Sequence, residues 1–147
     1  MILLVEDNDE DYVTFERVLA QTGVPRPVHR CTGGDEALQF LAQCDAAGNH
    51  ATALPAIIVL DLNMPGSDGR EVLRRLKSDP RFRAIPVVIV TTSSNPRDVQ
   101  ACYEDGANSY IVKSIDLARF RRDMRLLVEY WFQASLLPAT VDEYNEP

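Results

Sequence analysis

Ile57-Ile58-Val59-Leu60-Asp61-Leu62-Asn63-Met64-Pro65 is the stretch that decides how this chain reads. Four apolar residues, too few for a helix, run into a carboxylate and then into a turn marked by Pro65, Gly66 and Gly69. A fully buried run bounded by turn residues is the signature of a central strand in a parallel sheet. Ligands of open α/β sheets bind at the carboxyl ends of such strands. Asp61 therefore stands where chemistry is done, although a lone acid at a strand end can equally be a helix cap or a turn former.

Outward from that strand the pattern alternates. Short apolar segments predict strands over 2–5, 28–31, 57–60, 87–90 and 109–112. Between them lie helical stretches with Tyr12, Phe15 and Leu19 on one face, then Ala37, Leu38 and Leu41 after Gly33-Gly34-Asp35, then Val72, Leu73 and Leu76 from about Arg70. Residues 45–55 read as a loose polar loop. Asn95-Pro96-Arg97-Asp98 is a helix start, with a capping amide, Pro at the first helical position and an acid soon after. That helix stops at Gly106, and a last one begins near Asp116. Five strands alternating with five helices give an α/β fold with a doubly wound parallel sheet.

The 147 residues suit one domain with a sizeable core. With 46% hydrophobic and 25% charged residues, the composition is that of an ordinary globular protein. A net charge of −7 argues against nonspecific binding to nucleic acid or to an anionic membrane surface. No apolar run approaches the roughly 20 residues that a span needs, and the N-terminus lacks the basic flank of a signal peptide. A cytoplasmic protein is expected. Cys31, Cys44 and Cys102 are too scattered for a disulfide framework or a zinc site, and His29 and His50 have no partner at ligand spacing.

Strand ends gather the chemistry. Glu6 and Asp7 follow the first strand, Asp61 the third, Thr91-Thr92 the fourth and Lys113 the fifth. Carboxylates packed together repel unless a cation sits among them. Oxygen ligands alone suit Mg²⁺, and a hydroxyl with an ammonium suits phosphoryl oxygens. Asp9, Glu10 and Asp11 come next; acids in a first helical turn favour the positive end of the helix dipole, a better account of them than extra metal ligands.

The order and spacing of these residues resemble the receiver domain of two-component response regulators, a family with the flavodoxin-like (βα)5 fold. The resemblance rests on the acid pair, the Asp61–Pro65 turn with Gly69 beyond it, Thr91 and Lys113, and spans roughly residues 2–128. It implies that Asp61 is the phospho-acceptor for a sensor histidine kinase. Asp7 and Asp61 would ligate Mg²⁺, with Glu6 acting through water and Asn63 offering its backbone carbonyl. Thr91 and Lys113 would bind phosphoryl oxygens, and Tyr110 would swing as Thr91 moves. One departure stands out: the family usually has Pro after the lysine, where this chain has Ser114. A cis bond there would cost about 2.5–4 kcal/mol without proline, so a trans Lys113–Ser114 bond is expected.

Within the receivers, the chain looks like the small regulators paired with phytochrome histidine kinases. Asp79-Pro80 with Ile85-Pro86, Thr91-Thr92-Ser93, the run from Ala107 to Lys113 and the tail Tyr130-Trp131-Phe132 before Leu136-Leu137-Pro138 carry this likeness. It implies a phytochrome partner and a homodimer. A receiver over 1–128 would be followed by a helix extension and tail over 129–147, with output through protein contacts or phosphate relay rather than enzymatic turnover. On the last helix Leu117, Phe120, Met124, Leu127 and Trp131 form a core stripe. Leu126, Tyr130 and Phe132 are left over, as a contact surface is. Two other readings stay open: a phosphate-independent binding module, and an Mg²⁺-dependent phosphohydrolase with an aspartyl-phosphate intermediate. Asn63 speaks against the second, because such enzymes usually need an acid there.

Overall fold

The computed structural model describes residues 1–46 and 54–138. Five strands, β1 (Ile2–Val5), β2 (Val28–Cys31), β3 (Ile57–Leu60), β4 (Val87–Thr91) and β5 (Ser109–Val112), form one parallel sheet in the order β2-β1-β3-β4-β5. The helices are α1 (Asp9–Thr22), α2 (Gly34–Ala46), α3 (Gly69–Ser78), α4 (Pro96–Glu104) and α5 (Leu117–Glu129). This is the expected flavodoxin-like doubly wound sheet.

Strand alternation builds two cores. Ile2, Leu4, Ile57, Val59, Val88 and Val90 face α1 and α5, where Phe15, Phe120 and Met124 close over them. Leu3, Val5, Ile58, Leu60, Val87 and Ile89 face the other way, beneath residues of α2, α3 and α4 such as Leu41, Leu73 and Cys102. Both faces of the central strands are thus covered, which is why they read as unbroken apolar runs. The strand order reverses between β1 and β3, and a crevice opens there at the carboxyl ends.

Local chemistry sets the helix starts. Asn8, Asp68, Asn95 and Asp116 each accept a backbone N–H from the first turn of the helix they precede. Three details differ from the sequence expectation. Helix α2 runs on to Ala46, into the stretch read as loop, because Cys44 continues its buried face and Asp45 pairs with Arg81 at 3.4 Å; the remainder of that stretch through residue 53, with His50, lies outside the described residues. Strand β4 includes Thr91, which pairs with Val112. The Pro65-Gly66 turn is the tip of a two-residue antiparallel hairpin, Asn63–Met64 with Ser67–Asp68, and Gly66 turns it at a φ of 69°.

Beyond α5 the backbone widens into a π-helical turn, Tyr130–Ala134. Trp131 packs on the α1/α5 core as expected. Phe132, expected to be left over for a contact surface, packs there as well, because the widened turn aims it at α1 and the Arg26 guanidinium lies 5.3 Å above its ring. Leu126 and Tyr130 remain exposed at 49% and 56%. The three cysteines are buried free thiols, and His29 stacks on Phe40 at 3.8 Å.

Candidate functional site

Glu6, Asp61, Thr91 and Lys113 each sit one step beyond, or at, the last residue of their ladders, and Asp7 one residue further on. The Glu6 N–H donates to the Cys31 carbonyl, that of Asp61 to Val5 at 3.1 Å, and that of Lys113 to Thr91 at 2.7 Å. The sheet therefore fixes the backbone under Glu6, Asp61, Thr91 and Lys113 before any side chain acts. Arg30, which the sequence reading passed over, braces the β1 end from the edge strand. Its guanidinium donates to the carbonyls of Glu6 (3.0 Å) and Asp7 (3.1 Å), pairs with Asp9 at 2.7 Å and lies over the Tyr12 ring.

Glu6, Asp61 and Thr91 are the buried polar residues of the described chain. Carboxylate oxygens of Glu6, Asp7 and Asp61 lie within 4.8 Å of one another. Lys113, its side chain 9% exposed, answers them: Nζ donates to Glu6 Oε2 at 2.8 Å, to Asp11 Oδ2 at 2.9 Å and to Asp61 Oδ2 at 3.0 Å. Beneath the ammonium the hollow among Glu6, Phe15, Phe120 and Met124 is only about 10 Å³, the space of about one water at most.

That dry setting governs protonation. Burial pushes the Glu6 carboxyl up to about 7, and the Asp61 charge adds to this, while Lys113 works the other way. Burial alone would lower the Lys113 pKa, but its hydrogen bonds to Asp11 and Glu6 and the Asp61 charge outweigh it and raise the value above the ordinary one. The lysine is a fixed cation at neutral pH.

An all-oxygen donor set of three clustered carboxylates, with one ammonium to offset them, fits a hard divalent cation. Asp7 is the member with room for one: it is half-buried and borders a cleft of about 500 Å³ shared with Asn63, Pro65, Asp68 and Arg70. Asn63 orients its neighbours, its N–H donating to Asp61 Oδ1 at 3.1 Å and its amide to Thr91 Oγ1 at 3.4 Å. The Thr91 hydroxyl also accepts the Ser93 N–H at 3.5 Å, and no acceptor for its own proton is found among the described residues. It is free to donate to an anion on Asp61.

Away from Asp61, the β4–α4 loop is tied down by groups the sequence did not bring together. Tyr110, half-buried, donates its hydroxyl to the Ser93 carbonyl at 2.8 Å. Ser93 Oγ donates to Asp98 at 2.6 Å, and Asp98 in turn pairs with Arg70 at 2.8 Å. No cis peptide bond occurs among the described residues, so the Lys113–Ser114 bond is trans as expected.

Asp11 is the correction at this site. None of the three acids of the α1 first turn joins the carboxylate group of Glu6, Asp7 and Asp61, in line with the dipole reading, but Asp11 spends its carboxylate on Lys113. A local helix argument cannot see a partner 102 residues away.

The model of the response regulator receiver domain matches residues 2–125. The chain belongs to this family. It is 37% identical over 139 residues to the response regulator Rcp1 of a Synechocystis species, covering 95% of this chain and 93% of that one. The Mn²⁺-bound crystal structure of Rcp1 superposes with a TM-score of 0.86 at 38% identity, over 94% of this chain and 98% of that one. The phosphorylated cyanobacterial phytochrome response regulator RcpA gives 0.85 at 39% identity, over 94% and 97%. Receiver membership accounts for the acid pair, the buried Asp61 carboxylate and the lysine in one stroke. Among the described residues no helix is long and apolar enough to cross a membrane.

Proposed function

We propose that Asp61 accepts a phosphoryl group from a sensor histidine kinase of the phytochrome class. The observation that carries this reading is the ion set at Asp61: a buried carboxylate with Lys113 Nζ at 3.0 Å, beside an acid pair and a threonine hydroxyl whose proton has no acceptor among the described residues. An Asp61 carboxylate oxygen would attack phosphorus and form the new P–O bond while the P–N bond to the kinase histidine breaks and the imidazole departs. Lys113 and Thr91 would hold phosphoryl oxygens as that charge arrives, and Asn63 keeps the Asp61 carboxylate aimed. Mg²⁺ is the natural cation for this oxygen set, held by Asp7 and Asp61 with Glu6 through water and the Asn63 carbonyl; when bound, it neutralises charge on the phosphoryl oxygens.

In this reading the receiver is 1–128, residues 129–147 extend it, and the chain signals in the cytoplasm by protein contacts or relay rather than by turnover of a substrate. Thr91 and Tyr110 form the switch, since the loop between them is hydrogen-bonded to both. Leu126 and Tyr130 would lie in a homodimer interface, without Phe132, which docks on its own domain. The phosphohydrolase alternative lacks its acid, because an amide at position 63 moves no proton.

Phosphotransfer tests the reading. Purified phytochrome kinases, labelled on histidine, should pass label to this chain within seconds to minutes and not to Asp61→Asn. Rapid labelling of Asp61→Asn would overturn the assignment.

A further inference from the structure

We infer that Asp11 is a positioning residue for phosphoryl transfer, the carboxylate that keeps Lys113 in place when a cation and a phosphoryl group draw the other acids away. The inference rests on the reading of Asp61 as acceptor.

In a capping box the side chain at the third position of a helix reaches back to the backbone N–H of the N-cap residue. In α1 the N-cap is Asn8 and Asp11 is that third residue. Half of the box is present, since Asn8 Oδ1 accepts the Asp11 N–H at 3.0 Å. The other half is not. The Asn8 N–H goes to Glu6 Oε1 at 3.0 Å, and Asp11 Oδ2 turns instead to Lys113 Nζ at 2.9 Å. Asp11 spends its carboxylate on the site lysine and not on its own helix cap.

An ammonium has three N–H donors. Lys113 uses them on Glu6, Asp11 and Asp61. These three partners have different fates in the proposed reaction. Asp61 becomes the phosphoester, so its share of the ammonium passes to a phosphoryl oxygen. Glu6 belongs to the carboxylate group that suits the cation. Asp11 stands outside that group, so its bond to Lys113 is the one that neither event competes for. The backbone of Asp11 is fixed by the Asn8 cap, and its side chain is 28% exposed, enough to keep its own charge solvated. The chain also has Ser114 after the lysine, with no proline ring to stiffen that loop.

A double-mutant cycle tests this. With acetyl phosphate as donor, Asp11→Asn should slow phosphorylation about ten-fold, the effect of losing one charged hydrogen bond at the reacting group. In Lys113→Met the same change should alter the rate less than about two-fold, because the partner is already gone. Equal effects in the two backgrounds, or a faster Asp11→Asn protein from reduced charge repulsion, would overturn the inference. Magnesium affinity of Asp11→Asn should stay within about two-fold of the parent; a loss as large as that of Asp7→Asn would make Asp11 a metal ligand instead. Asp11→Glu, which keeps the charge, should recover part of the rate. A further readout needs no turnover: the Lys113 ammonium protons should give a slowly exchanging NMR signal in the parent and lose it in Asp11→Asn. A signal unchanged by that substitution contradicts the pairing even if Asp61 accepts no phosphate, so the failures of the two readings are told apart.

Discussion

Gly69 lies against the backbone of Asp61 so closely that a Cβ on it would run into the Asp61 carbonyl oxygen and sit 2.7 Å from Leu62 Cα. The Gly69 N–H donates to the Leu62 carbonyl at 3.0 Å, which clamps the start of α3 onto the strand end carrying Asp61. Backbone atoms cannot step aside as a flexible side chain can. Gly69→Ala should therefore cost about 1–3 kcal/mol in urea unfolding and displace Asp61, slowing its phosphorylation. Gly66, at a φ of 69° with open space around it, should lose about 1–2 kcal/mol on change to Ala and keep its phosphorylation rate. Equal loss of phosphorylation in both variants would deny the special contact.

Among the acids, Asp7 should matter more to metal binding than Glu6. Both Glu6 oxygens already accept hydrogen bonds, from Asn8 and Lys113, whereas Asp7 is half-buried at the open cleft. By calorimetric titration with Mg²⁺, Asp7→Asn should weaken binding more than Glu6→Gln does. The reverse order would place Glu6 in direct contact with the ion.

The thiols offer a pH prediction. Burial pushes Cys31 up to about 12 from its ordinary 9.0, and raises Cys44 and Cys102 as well. The folded chain holds these protons more tightly than the unfolded one. Their contribution to stability is therefore complete below about pH 9 and is lost as pH climbs through the folded values. At pH 8 a thiol reagent should leave the native protein unmodified and titrate all three cysteines once urea unfolds it. Fast modification of the folded protein would contradict their burial.

Leu126 and Tyr130 are apolar groups left uncovered toward the end of α5 and on its extension, and Leu117 at the helix start is uncovered too, outside the core stripe expected for it, while Trp131 and Phe132 dock on their own domain. Cutting the chain after Val128 would strip those docking contacts along with any interface, so point changes are the cleaner probe. Leu126→Ser with Tyr130→Ser should shift sedimentation equilibrium from dimer toward monomer and leave the circular dichroism spectrum unchanged. A parent protein that is already monomeric at tens of micromolar removes the dimer.

The fold was legible because each strand face meets a core: residues 2–5, 57–60 and 87–90 are apolar throughout and follow the rules for doubly covered strands. Glu6, Asp7, Asp61 and Thr91 were legible because each follows or ends such a run, and Lys113 because it follows the mixed strand Ser109–Val112. What escaped was decided by distant partners or by crowding. Arg30 and Arg70 carry no signal of their own in the sequence and Asp98 reads only as the acid of a helix start, until the fold sets Arg30 under the β1 carbonyls and Arg70 against Asp98. Asp11 had a sufficient local explanation at the helix terminus, and only the packing of β5 beside β4 brings Lys113 to it. The π-helical turn after Glu129 and the inward placement of Phe132 leave no local mark in the sequence, since they answer to Arg26 and the α1/α5 core.

Intact-mass spectrometry of the protein with acetyl phosphate tests the central claim most directly. With Mg²⁺ present the parent should gain one phosphoryl group, and should gain none with EDTA or as Asp61→Asn. Full labelling of Asp61→Asn, or labelling of the parent that is indifferent to EDTA, contradicts the assignment of Asp61 as a cation-dependent phosphoryl acceptor.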